Sequence, residues 1–187
     1  MMKPRIFGLL FMAVVAAVVV VLDQISKAWV VASLPSHETR PIVEGFARLR
    51  YVENTGAAFG FFQGWTGALS VVGIAITLAV IFSASRASDG SSGGRAGMMA
   101  LALVTGGAIG NLIDRIRLGY VVDFIDVHGP RLNINNTVYS WPVFNVADSA
   151  ITVGVVLLLL TLFLKREKGT PSEKDEPVQY VNPGRSA

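Results

Sequence analysis

Four apolar runs, Ile6–Leu22, Trp65–Ala84, Ala96–Ile113 and Ala147–Leu164, constrain this chain more than any other feature. Each is about as long as a ~30 Å hydrocarbon core requires of a helix. Apolar residues make up 52% of the chain before glycine is counted, and mean hydropathy is +0.53. A soluble domain holds about 45–50% with glycine included. The expected architecture is an all-α membrane protein of four transmembrane helices, about 6–31, 65–84, 96–114 and 147–164, within one unit, 1–168. The first run is preceded by Lys3 and Arg5, as a signal peptide would be, yet it is long for one and continues helically through Asp23–Lys27.

Four passes put both termini on one side. Lys3, Arg5, Arg86, Arg95, Lys165, Arg166 and Lys168 flank the spans there, so the positive-inside rule makes that side cytoplasmic. Residues 83–97 (SASRASDGSSGGRAG) read as a flexible cytoplasmic loop, and the charged, proline-containing 169–187 as a disordered tail. The larger segments 33–64 and 115–146 fall outside, where chemistry is expected. In the first of them Phe46–Val52 alternates apolar and polar residues, which predicts a strand of a small extracytoplasmic sheet on the membrane surface.

Residue types exclude much. The chain has no cysteine, hence no disulfide, thiol nucleophile or cysteine-bound metal. Its two histidines, His37 and His128, lie in polar connectors and poorly supply a metal site or a Ser-His triad. The basic residues form no stripe, so the net charge of +3 does not predict a nucleic-acid partner.

At 1.5 Å per residue, Asp23 lies ~26 Å along the first helix from Ile6, Asp114 ~29 Å from Arg95 and Asp148 ~25 Å from Lys165. Carboxylates from three helices thus collect at the outer interface. Asp23 and Lys27 have the spacing of an i,i+4 ion pair, which by itself would let the helix enter the interface. Gly106 and Gly110 form a GxxxG spacing that admits a close neighbour helix. Asn111, Asp114 and Arg115 share the last turn beyond it. Gly119 permits a turn back to the membrane, followed by Asp123 among Val121, Val122 and Phe124, an acid either exposed at an element end or buried with a raised pKa and a partner. Asp148 opens the fourth helix, where a capping role competes with chemistry, and Asn145 precedes it. Two carboxyls sharing a site can hydrolyse a peptide without metal or cofactor, one taking a proton from water and the other giving one to the carbonyl. An ion or proton transporter and a non-catalytic assembly protein are the competing classes. Charges gathered at one interface suit a transport path poorly.

Taken together, Asp23-Gln-Ile-Ser-Lys27, Asn54-Thr-Gly-Ala-Ala58, Gly106-Gly-Ala-Ile-Gly-Asn-Leu-Ile-Asp-Arg115, Val121-Val-Asp-Phe124 and Phe144-Asn-Val-Ala-Asp148 resemble the lipoprotein signal peptidase (signal peptidase II) family over most of residues 6–165. The resemblance implies an aspartyl endopeptidase of the bacterial inner membrane. Such an enzyme cuts prolipoproteins just before their diacylglyceryl-modified cysteine, with those preproteins and membrane lipid as partners and no metal or cofactor. Its dyad matches Asp123 and Asp148. Asn54, Gly56, Asn111, Asp114, Arg115 and Asn145 match the polar surround, with Asp23 and Lys27 supporting it. The segment Asp126–Trp141 is longer than the family pattern, and His128 and Arg131 within it have no role to transfer.

Overall fold

The computed structural model describes residues 4–35, 38–55, 92–127, 132–134, 137–139 and 141–167. The predicted span 65–84, Gly56, both histidines, Arg131 and the tail 169–187 lie outside them. Three helices are described: α1 (Pro4–Ser33), α2 (Ser92–Leu118) and α3 (Val146–Glu167). Residues 92–97, expected in a loop, instead form the first turns of α2. Exposed Arg95 does not interrupt that helix, and its two N-terminal glycines lower propensity without breaking it. Stretches Ile6–Ser33 and Arg95–Leu118 are long and apolar enough to cross a membrane, and α3 has a shorter apolar stretch, Val146–Thr161.

Neighbours along the helices give their directions. Gly8 of α1 faces Met98, Ala16 faces Gly106 and Asp23 faces Gly110, so α1 and α2 run parallel. On α3, Ala147 faces Gly107 while Gly154 faces Ala100 and Val104, so α3 runs antiparallel to α2. The glycines permit these approaches. A β-carbon on Gly106 would sit 2.8 Å from the Ala16 carbonyl oxygen, and one on Gly107 would meet the Ala147 carbonyl. GxxxG therefore faces α1, and the extra glycine inside it faces α3.

At the end of α1 remote from its N-terminus lies a three-stranded antiparallel sheet in the order β1 (Thr39–Val43), β2 (Ala47–Asn54), β3 (Val121–Val127). The expected strand Phe46–Val52 is β2, displaced by one or two residues because Phe46 closes the turn through Gly45, whose φ is 73°. Exposure falls across the sheet from fully exposed β1 to buried β3. Gly119, at φ 83°, turns the chain from α2 into β3. A second hairpin, β4 (Leu132–Ile134) with β5 (Thr137–Tyr139), occupies part of the long segment after β3.

One apolar cluster, Met12, Leu101 and Ala102, joins the helices. Another, Val30, Leu34, Val122 and Phe124, fastens the end of α1 to β3. The outer helix surfaces are apolar: Phe7, Ile25 and Phe163 are each more than 60% exposed. Asp23, Lys27, Asn111, Asp114, Asp123 and Asn145 are buried instead. Apolar exterior and charged interior reverse the soluble pattern and fit a lipid surround.

Candidate active site

The buried charges form one connected network. Asp23 and Lys27, one turn apart on α1, pair at 2.8 Å, and Lys27 pairs with Asp114 of α2 at 2.8 Å as well. Its ammonium also donates to Asn111 Oδ1 at 3.0 Å. An ammonium has three donors, and here three acceptors meet them, the condition under which a buried cation is tolerated.

The two aspartates reach beyond Lys27. Asp23 Oδ1 accepts the Ala147 N–H at 2.9 Å, satisfying a donor in the first turn of α3 from a different helix. Asp114 Oδ2 accepts the Val122 N–H of β3 at 3.1 Å. Gln24 connects the same pair: its Nε2 donates to Asp114 Oδ1 at 2.9 Å, to the Gly110 carbonyl at 3.2 Å and to Asp23 Oδ2 at 3.2 Å.

Asn145 and Asp148 form a reciprocal cap on α3. Asn145 Oδ1 accepts the Asp148 N–H at 2.8 Å, and Asp148 Oδ2 accepts the Asn145 N–H at 3.3 Å. The arrangement is that of a capping box, with Asn at the cap and Asp three residues later. Phe144 brings it into place by pairing with Ile125 of β3, donating to the Ile125 carbonyl at 3.1 Å and accepting that residue's N–H at 2.8 Å.

Asn145 also faces the other candidate acid. Its Nδ2 donates to Asp123 Oδ1 at 2.7 Å and to Asn111 Oδ1 at 3.1 Å, and Asn111 Nδ2 donates to Asp148 Oδ1 at 2.8 Å. On the far side, Asn54 of β2 donates to Asp123 Oδ2 at 2.8 Å. Two asparagine amides thus bridge the carboxyls of Asp123 and Asp148. Burial, and then the negative charge of Asp148, push the Asp123 carboxyl up to about 7, while Asn54, Asn145 and Lys27 pull it down. A buried carboxyl that holds its proton near neutrality beside a second carboxyl can both give and take protons.

The structure therefore brings together Asp23, Lys27, Asn54, Asn111, Asp114, Asp123, Asn145 and Asp148. Arg115 is half-buried at the rim, donates to its own helix at the Asn111 carbonyl at 3.4 Å, and forms no ion pair among the described residues. No group of three or more His, Asp or Glu side chains among the described residues is disposed to hold a metal ion. Gln24 was not singled out from the sequence. Its signal was an amide next to an acid at the buried end of an apolar helix, where a polar side chain requires a partner.

Apolar-surfaced helices around a buried cluster of acids and amides describe a membrane protein with groups able to move protons. The comparisons narrow that class: residues 15–164 match the model of the signal peptidase (SPase) II family, and the chain belongs to it. It is 46% identical over 146 residues to a lipoprotein signal peptidase of Syntrophotalea carbinolica, covering 78% of this chain and 86% of that one. With the lipoprotein signal peptidase of Syntrophomonas wolfei it shares 43% over 154 residues, 80% of this chain and 92% of the relative. Two solved bacterial membrane enzymes superpose with TM-scores of 0.71 and 0.68, at 28% and 31% identity. They cover 87% and 81% of this chain and 93% and 92% of their own.

Proposed function

We propose that the protein removes signal peptides from prolipoproteins as an aspartic endopeptidase, with Asp123 and Asp148 as its catalytic pair. The observation that carries this reading is the amide bridge: Asn145 is hydrogen-bonded to both acids, and Asn111 joins it to Asp148. The pair is active with one proton. The ionised carboxyl takes a proton from water, whose oxygen attacks the scissile carbonyl carbon while the protonated carboxyl gives its proton to the carbonyl oxygen. The resulting gem-diol collapses as the C–N bond breaks: the pair's proton passes to the leaving nitrogen, and a gem-diol hydroxyl returns one to the other carboxyl. The pair ends with one proton again.

Four spans with both termini cytoplasmic complete the reading, with residues 1–168 as the membrane domain and 169–187 as a cytoplasmic tail. Parallel α1 and α2 support it: β2 ends beside the C-terminal end of α1, whereas α2 starts beside its N-terminal end, the arrangement expected of two helices joined through a further crossing. The apolar run 65–84 has the length for that crossing. The carboxyls then lie at the outer face of the inner membrane.

The scissile bond has to reach that depth. A diacylglyceryl group on the adjacent cysteine would hold it there, since each buried methylene contributes about 0.8 kcal/mol and two chains anchor more firmly than one. Anchoring energy of this kind aligns the bond with the acids. The experiment is cleavage of two matched preproteins in detergent, one carrying the modified cysteine and one not. Rapid cleavage of the first alone is expected, and equal rates would remove the lipid from recognition.

A further inference from the structure

Asp23 and Asp114 share a relation to the proposed catalytic pair that the reaction itself does not require. Each accepts the backbone N–H of the residue immediately before one of the acids: Asp114 takes Val122, ahead of Asp123, at 3.1 Å, and Asp23 takes Ala147, ahead of Asp148, at 2.9 Å. The two acids come from different elements, a strand and a helix start, whose separation nothing in their own sequences sets. Lys27 touches both holding carboxylates at 2.8 Å. Gln24 touches both as well, at 2.9 Å and 3.2 Å. We propose that Lys27 and Gln24 are positioning residues that, by tying Asp23 to Asp114, fix the distance and facing of Asp123 and Asp148; this rests on the catalytic reading given above.

Lys27 has a second effect of the same kind. An ammonium donates only, so its contact at Asn111 Oδ1 fixes which way the amide points and directs Nδ2 at Asp148. The Asn145 amide donates to the same oxygen at 3.1 Å, so Lys27 and Asn145 hold that orientation together. An ion pair serving helix packing alone needs one carboxylate. Here one lysine holds two, and removing it would leave two buried carboxylates without their shared cation. Among the described residues, the charged groups facing the pair are Asp23 and Lys27 from α1 and Asp114 and Arg115 from α2, while β2 contributes the uncharged Asn54.

The test is Lys27→Met in the full-length enzyme in detergent, followed by kcat, KM, the pH–rate profile and thermal unfolding. The proposal expects kcat to fall about 100-fold, as a misplacement near 1 Å does, with KM nearly unchanged. It also expects the alkaline limb of the profile to move to higher pH, because Asp123 loses a cation that favours its ionised form. Folded Lys27→Met with unaltered kcat and profile overturns the proposal. So does a loss of rate matched by lost folded fraction, with the profile unmoved. If Lys27→Met does not fold, Gln24→Leu decides, because it leaves every charge in place: about a tenfold fall in kcat at constant KM supports the tie, and a wild-type kcat refutes it. Asp123→Asn is assayed beside them. An active Asp123→Asn sinks the catalytic reading itself, whereas an inactive one beside a fully active Lys27→Met sinks only the positioning role.

Discussion

The two ends of the helix bundle are held together by different physics. Toward the N-terminal end of α1, contact is apolar and close: Met12 against Leu101 and Ala102, and glycine surfaces against neighbouring backbone. At the other end the same helices meet through charges and amides. In lipid, apolar surface gains little by leaving one apolar neighbour for another, so close packing of small residues holds the first end and satisfied polar groups hold the second. The first kind of contact tolerates sliding along the helix. A network of buried donors and acceptors that satisfy one another does not, and the end that holds the proposed catalytic pair is built in the unforgiving way.

The sharpest way to break the polar end is at the proposed catalytic pair. Asp123→Asn and Asp148→Asn keep volume and remove a proton-transfer role, so each should lower cleavage by at least about 1,000-fold while membrane insertion and unfolding temperature change little. Assay of both purified variants on a lipid-modified preprotein checks this. Loss of folding instead of rate would make the cluster a packing device.

Next in size is a pH effect confined to that end. The Asp123 carboxyl moves from its ordinary 3.8 to about 7 in the folded protein. A raised carboxyl makes the folded state bind more protons than the unfolded one between those values. Its contribution is therefore fully present below about pH 4 and lost as pH rises through about 7, on the order of 4 kcal/mol across the window. Thermal unfolding in detergent should weaken over that range, and Asp123→Asn should flatten the dependence. An equal slope in the variant would assign the effect elsewhere.

Smaller effects come from the packed surfaces. A methyl on Gly107 would collide with the Ala147 carbonyl and lie 2.8 Å from Ile151 Cγ1, so Gly107→Ala should cost about 1–3 kcal/mol. It should also slow cleavage, because Ala147 is the residue Asp23 holds. Gly97, on the same helix but with nothing within 4 Å of where its β-carbon would be, should respond oppositely: Gly97→Ala should stabilise by about 0.5–1 kcal/mol with activity unchanged. Unfolding of the two variants side by side measures the contrast, and equal shifts would mean that α2 approaches α3 no more closely than lipid.

What could be read in the sequence was depth. Counting residues from the flanking basic groups brings Asp23, Asp114 and Asp148 to one level, and the ion pair of Asp23 with Lys27 follows from helical spacing alone. Asn54, Asn111 and Asn145 entered through motif order, and the structure puts all three on the acids. Partnerships between distant segments were not legible. That Asp23 caps a helix 124 residues away, or that β3 is buried between α1 and β2, depends on which surfaces meet. Gln24 was passed over for the same reason, since its partners lie 86 and 90 residues on. The start of α2 at Ser92 was missed because Ser and Gly signal a loop by local propensity, and neighbouring helix structure outweighed it.

The cap on α3 has a consequence for how the enzyme comes into being. Its first turn is closed by Asn145 and Asp148 and completed by Asp23, so the last described helix to leave the ribosome is finished by a carboxylate made near the start of the chain. Asp148, one of the two proposed acids, is set in place only by that meeting. A chain truncated before α3 would hold Asp123 without Asp148, and the proposed pair predicts that it cuts nothing. Under the proposed chemistry, formation of α3 against α1 is the step that would assemble the pair.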